Sequence, residues 1–222
     1  MSFIVGIDGP AGSGKGTVTK IIANKLGLTN IDTGITYRCV ALECLNYGIN
    51  IDEKEKIIEI ANNLNLRIEN TKNGDIVYLD EKNVTKEIRS KEVTGIVSQV
   101  SSIKEVRFAM VELQRKLAEG KDIIMEGRDI CTYVFPNADV KIYLEASLEE
   151  RAYRRYKEMQ EKGIDTTFEE VKNSIEIRDR NDKVKEVGAL KLAQDSIIVD
   201  TTNKTIDDVV EEIIKIINNK KR

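Results

Sequence analysis

The chain has 222 residues, 41% hydrophobic and 33% charged, with 35 basic and 38 acidic side chains and a formal charge of −3. This is the composition of one globular domain with a real core, which excludes a disordered or collagen-like chain, and the mildly acidic balance gives no reason to expect a nucleic-acid partner. Histidine is absent, so Ser-His-Asp and Cys-His catalysis and His-ligated metal sites are excluded, and no protein metal cage is expected.

In chain order, MSFIVGID lacks a basic leader, and its apolar run stops at Asp8. It reads as neither a signal peptide nor a membrane span. Residues 3–7 predict a buried parallel strand, and Val18, Ile21, Ile22 and Leu26 place a helix over 14–26. A helix is expected over 33–47, with Val40, Ala41, Cys44 and Leu45 on one side. Another is expected over 52–64, capped by Asp52. The texture then changes. LRIEN and DIVYLD alternate around Asn73-Gly74, a hairpin signal, with a third short strand near 82–85. Residues 64–90 are therefore read as an antiparallel insertion.

Ile103, Val106, Met110, Leu113 and Leu117 mark a helix over 103–119 whose stripe is interrupted by Arg107. Short apolar strands follow at 122–126, 140–146 and 197–200. Helices are expected at 147–162, 167–182 and 205–218. The face of the second that carries Phe168, Val171 and Ile175 continues into Arg178 and Asp182. The fold class is α/β, with a parallel sheet covered on both faces. Cys39, Cys44 and Cys131 form no C-x-x-C pair, which suits a reduced, cytoplasmic chain.

Gly9-Pro10-Ala11-Gly12-Ser13-Gly14-Lys15-Gly16-Thr17 matches G-x-x-x-x-G-K between the first strand and first helix. Glycines let the backbone wrap a phosphate, the helix start adds its dipole, and Lys15 adds a full charge. The loop points to a nucleoside triphosphate. No D-x-x-G is present, and Asn203-Lys204 is not followed by the base-reading Asp of N-K-x-D. These absences argue against a GTPase switch.

A small phosphoryl-transfer enzyme must hold two polyanions together, and arginine forks suit that task. Candidates are Arg38, Arg107, Arg128 in Glu126-Gly127-Arg128-Asp129, and Arg178 with Asp182. Each has an ordinary reading alone. Arg38 could be a helix-surface residue, Arg107 could snorkel to a rim, and Arg178 and Asp182 could be an i,i+4 surface pair. Arg128-Asp129 at a strand end is harder to dismiss, because α/β sheets bind ligands there.

On these residues the chain resembles the bacterial cytidylate kinases, P-loop nucleoside monophosphate kinases. The resemblance rests on IDGPAGSGKGT (7–17), DTGITYR (32–38), VSQVSSIKEVR (97–107), EGRDI (126–130), ERAYRR (150–155) and RDRNDKVKEVGAL (178–190). It spans almost the whole chain. It implies ATP bound by Gly9 to Thr17, with Lys15 on its phosphates, and Mg²⁺ entering with ATP. It implies CMP or dCMP held by Thr33, Tyr37 and Arg38, with Ser98, Arg107 and Asp129 reading the base. Arg128 would clamp phosphate, and Arg178 and Asp182 would hold the ribose and close over the site. Lys15, Arg128, Arg178 and Asp182 form the implied catalytic set.

Arg151, Arg154 and Arg155 belong to an arginine-rich lid, without a choice among them for ATP. The implied division is a core of 1–32, 103–147 and 190–222, a monophosphate-binding region with its insertion over 33–102, and a lid over about 148–189. Lys185, Ala189 and Cys131 depart from the family's usual Arg, Pro and Gly. The expected reaction is MgATP with CMP or dCMP giving ADP with CDP or dCDP, in pyrimidine nucleotide metabolism. The alternatives are another small-molecule kinase, for UMP or a non-nucleotide acceptor, and a nucleotide-gated binding module. No membrane partner is expected, and a monomer is expected because no long apolar stripe is evident.

Overall fold

The computed structural model describes residues 2–71 and 74–221. In chain order the chain forms β1 (Ile4–Asp8), α1 (Lys15–Leu26), β2 (Thr29–Asp32), α2 (Thr33–Asn46) and α3 (Lys54–Asn62). A small antiparallel sheet follows: β3 (Leu66–Thr71), β4 (Gly74–Leu79) and β5 (Lys82–Asn83). Then come α4 (Lys91–Val100), α5 (Lys104–Ala118), β6 (Ile123–Gly127), β7 (Val140–Glu145), α6 (Leu148–Glu161), α7 (Phe168–Val184), β8 (Ile197–Asp200) and α8 (Ile206–Lys220).

The main sheet has the order β2-β6-β1-β7-β8, and every pairing in it is parallel. A parallel sheet needs cover on both faces, and the alternation of side chains supplies two. Val5, Ile7, Ile124, Ile142 and Leu144 pack with Val18 and Ile22 of α1 and Val210, Ile213 and Ile217 of α8. Ile31, Ile123 and Met125 meet Val111 of α5 and Ile130 and Val134 of the wide π-helical turn at 130–134. Each such fully buried aliphatic side chain contributes roughly 1.5–3 kcal/mol.

Two further apolar clusters lie away from the sheet. One joins Ile35, Val40, Ile57, Val77, Ile88, Val93, Val106 and Met110, so α2 to α5 and the small sheet share a core of their own. The other holds Ala152, Val171 and Ile175 between α6 and α7. Among the described residues no helix is long and apolar enough to cross a membrane.

The structure corrects several expectations. The four-residue strand β2, TNID, lacks an apolar run and was not foreseen. The helix α4 was also unforeseen. Ser90 caps it, its hydroxyl accepting from the Val93 N–H at 3.2 Å. Asp52 does not cap α3. That helix starts at Lys54, so the cap position falls on Glu53, whose carboxylate accepts from the Asn50 N–H and caps nothing in the helix. The third strand of the insertion is two residues long. Asn73 of the expected turn lies outside the described residues. Cys131 does not sit at positive φ, so the backbone imposes no strain on a cysteine there. All three cysteines are buried thiols.

Candidate functional site

Parallel strands bring their C-terminal ends to one edge, and ligands of such sheets bind at that edge. Here Asp8 stands opposite Gly127 and Tyr143, and Asp32 stands opposite Glu126. The loop at 9–17, the start of α2 and the pair Arg128-Asp129 therefore leave the sheet side by side.

In the loop, Gly9 must lack a side chain, since a Cβ would lie 2.1 Å from the Leu144 carbonyl oxygen. Gly14 precedes α1 with φ 90°, and no side chain caps that helix. Its first N–H groups are thus left for an anion. Lys15 is buried. Its ammonium folds back to donate to the carbonyl oxygens of Gly9 and Pro10, each at 2.8 Å. Burial and then the charge of Arg128 lower the Lys15 pKa, while Glu126 opposes them. Ser13 donates to the Pro10 carbonyl at 3.1 Å. Asp8 anchors the base of the loop by accepting from the Ile130 and Cys131 N–H groups at 2.8 Å. Burial nevertheless pushes its pKa up to about 6.

Glu126 was not among the predicted site residues, although a charge at the end of an otherwise apolar strand was a readable signal. Its Oε1 lies 2.9 Å from where a Cβ on Gly16 would stand. Burial and then the neighbouring Asp32 raise its pKa, with Lys15 opposing. Thr33 opens α2 and donates to the Glu126 carbonyl at 2.7 Å.

The arginines gather on the far side of this loop. Arg128 donates through Nε to Asp182 at 2.8 Å, and Lys185 donates to the other Asp182 oxygen at 2.8 Å. Burial alone would raise the Asp182 carboxyl, but Arg128 and Lys185 outweigh it and hold it well below the usual carboxylate range. The ordinary reading of Arg178 and Asp182 as an i,i+4 surface pair does not hold. Among the described residues no group accepts a hydrogen bond from Arg178, which lies in the field of Asp182 and of Arg128, Arg38 and Arg155. Burial and then Arg128 bring its pKa down to about 10. Arg38 donates to the Ile88 carbonyl at 2.9 Å and to Thr94 at 3.0 Å, which ties α2 to the insertion.

Arg107 and Asp129 form a second, enclosed pair. Arg107 donates to Asp129 at 2.6 Å and to the Ser101 carbonyl at 3.2 Å, with its guanidinium 5.2 Å from the centre of the Tyr37 ring. Burial pushes the Tyr37 hydroxyl up to about 12. Ser98 joins the same corner through its carbonyl, which accepts from Ser101 and Ser102. Lys185 reaches Ser101 Oγ at 3.1 Å. Gly188 (φ 65°) lies against the pair, and a Cβ there would be 2.2 Å from both an Arg107 nitrogen and an Asp129 oxygen. The Leu190 N–H donates to the Asp182 carbonyl at 2.8 Å, so this loop is anchored although Ala189 stands in it.

The three arginines of α6 expected in a lid separate by their partners. Arg151 is buried against Asp179 and Ala11. Arg154 holds Glu150 and Thr201. Arg155 has a single exposed contact, to Glu158 at 2.7 Å, and its charge reaches Arg38 and Arg178. A glycine loop with one lysine thus faces a cluster of arginines whose charges repel one another. That geometry can hold two phosphorylated molecules end to end.

Comparison with known proteins bears on this geometry. The family model described as cytidylate kinase matches residues 5–219. The protein named cytidylate kinase from Alkaliphilus oremlandii is 48% identical, covering 98% of this chain and 99% of its own. The one of the same name from Clostridioides difficile is 46% identical over 98% and 99%. Among solved structures, an uncharacterized protein from Eubacterium ventriosum aligns over 98% of this chain and 99% of its own. Its TM-score is 0.54 at 14% identity, a likeness of fold alone.

Proposed function

The chain belongs to the cytidylate kinase family, and from that premise we propose that it moves the γ-phosphoryl group of ATP to CMP and dCMP through the site at the sheet edge. The observation that carries the reading is the meeting of the loop lysine with two arginines there. Lys15 in the glycine loop lies close enough to Arg128 and Arg178 for each to depress its pKa. Such mutual repulsion favours a pair of polyanions bound together.

The acceptor is a phosphate oxygen that is already anionic, so no general base is needed, in keeping with a chain that lacks histidine. That oxygen forms a bond to the γ-phosphorus as the bond to the bridging oxygen breaks, and ADP leaves. Catalysis is then positioning and charge stabilisation. In this reading Lys15 leaves the Gly9 and Pro10 carbonyls and turns to the β- and γ-phosphates. Arg128, Arg178 and Arg38 hold the acceptor phosphate, and Asp182 orients Arg128 and faces the ribose. Arg107 and Asp129, with Ser98, read the cytosine edge, and Thr33 and Tyr37 wall it. Arg155 is the lid arginine with a side chain to offer the transferring group. The donor loop is Gly9 to Thr17. Residues 33–102 serve the acceptor, and about 148–189 serve as the lid.

Mg²⁺ would enter with ATP. Among the described residues no cluster of three acidic or sulfur side chains offers it a cage. Gly16 brings no hydroxyl. The fit is to a metal held mainly by phosphate oxygens and water, with Glu126 beside Gly16 able to accept from such a water. When bound, the ion neutralises phosphate charge.

The test is ADP release from MgATP with CMP, dCMP, UMP, AMP, GMP or no acceptor. Turnover confined to CMP and dCMP supports the reading. Turnover with UMP as well widens the acceptor class. ADP release that no acceptor stimulates overturns it.

A further inference from the structure

The apolar face of α7 does not stop at its last apolar residue. Val171 and Ile175 are buried, and one turn further the buried position is Asp179. Asp179 accepts from the Ala11 N–H at 3.2 Å through one oxygen and from Arg151 of α6 at 2.5 Å through the other. The same Arg151 nitrogen donates to the Ala11 carbonyl at 2.9 Å. The residue at the crown of the phosphate loop is thus gripped at its N–H and at its carbonyl by one ion pair from the two lid helices. The grip is close, since a Cβ on Gly12 would lie 3.1 Å from the Arg151 Cβ.

We propose that Asp179 and Arg151 are positioning residues for ATP. They hold the Ala11 backbone from outside the loop, so that the N–H groups from Gly12 onward stay turned toward the phosphates. The lid helices and the phosphate cradle then move as one body. The inference rests on the reading of residues 9–17 as that cradle.

Three observations carry it. The side chains of the pair are only 8% and 11% exposed. A buried ion pair adds little net stability over an apolar one of similar volume, so its value here is in direction. Both polar atoms of Ala11 are engaged by the pair, while no side chain caps the start of α1. The loop is therefore fixed at its crown and left available at its anion-binding end. Finally, Arg154 and Arg155 bind elsewhere, so Arg151 alone among the lid arginines ties α6 to the loop.

The experiment uses the full chain and inorganic tripolyphosphate as probe, beside MgATP and CMP. Asp179→Asn removes the charge and Arg151→Lys removes the fork. Tripolyphosphate and ATP should bind about tenfold more weakly in both variants, as expected for loss of one charge-assisted hydrogen bond. The KM for CMP should stay near that of the parent. Asp179→Glu should recover part of the loss. Equal losses for ATP and CMP, or a lower melting temperature with unchanged tripolyphosphate binding, would overturn the proposal. If Asp179→Asn does not fold, Arg151→Lys decides by the same readouts. Lys15→Ala separates the two readings. If it abolishes tripolyphosphate binding while the clamp variants keep it, only the clamp falls. If it too keeps binding, the cradle falls and the clamp with it.

Discussion

Arg107 donates to Asp129 across 2.6 Å where less than a tenth of either side chain meets solvent. Two full charges so enclosed are tolerable only because each answers the other. Removing one leaves its partner buried and uncompensated. Arg107→Ala should therefore lower kcat/KM for CMP about 10- to 100-fold while changing the KM for ATP far less. Steady-state kinetics with each substrate varied in turn check this. Equal loss for both would contradict the assignment of this pair to the acceptor base.

Gly188 presses on that pair from above. With φ 65° and only 2.2 Å between a would-be Cβ and the paired charges, alanine cannot be added without moving the loop or parting the pair. Gly188→Ala should raise the KM for CMP about tenfold or more and leave tripolyphosphate binding unchanged. A variant with parental CMP kinetics would mean that the loop does not bear on the acceptor.

The depressed pKa of Lys15, about 7 by burial and Arg128, has a sign that binding can reveal. Without a ligand the ammonium holds its proton weakly. A triphosphate beside it favours the charged form and raises the pKa. Binding above neutrality therefore takes up a proton, and affinity falls as pH rises through the alkaline side. Calorimetry of ATP binding in buffers of differing ionisation enthalpy should register this uptake, and Lys15→Ala should abolish both the uptake and the transfer. An active Lys15→Ala protein would sink the cradle reading.

Asp182 works in the opposite direction. Burial raises its carboxyl, but Arg128 and Lys185 pull it further down, so its folded pKa lies below the unfolded one. The stability it contributes is present above the ordinary carboxylate range and is lost as pH falls toward the folded value. Asp182→Asn should destabilise the chain by about 3 kcal/mol at neutral pH, because two buried cations lose their shared partner. Urea unfolding at neutral and acid pH should show the gap between parent and variant narrowing on acidification.

Much of this architecture is legible in sequence because apolar periodicity and glycine placement are local signals. DIIME reads as a buried strand, and Gly9 to Thr17 as a phosphate loop, without knowledge of what packs on them. The failures share a physical cause. In TNID, pairing with β6 makes a strand of a segment in which Asn30 and Asp32 disfavour one. Asp52 has the right chemistry for a cap, but the first turn closes on the Glu53 carbonyl, which leaves Asp52 one residue before the cap position. Arg178 and Asp182 have the spacing of a surface pair, yet Arg128, 54 residues away in sequence, competes for the same carboxylate. Asp179 carries a readable signal in its spacing of four from Ile175, but its partner Ala11 lies 168 residues earlier. Partners chosen across the fold leave no mark on local spacing.

The cluster between α6 and α7 has a consequence for timing. Its buried apolar members are Ala152, Val171 and Ile175, with Leu148, Tyr156, Met159 and Phe168 half-buried around them, whereas the cover of the sheet joins α1, α8 and four strands. So small a core gives this helix pair little resistance to opening, and its amides should exchange with solvent well before those of β1 and β6. What fixes its resting place is then polar: Arg151 on Ala11 and Arg154 on Thr201. One of these attachments runs to the phosphate loop itself, so a swing of the helix pair must either carry the crown of that loop along or break the Asp179–Arg151 clamp.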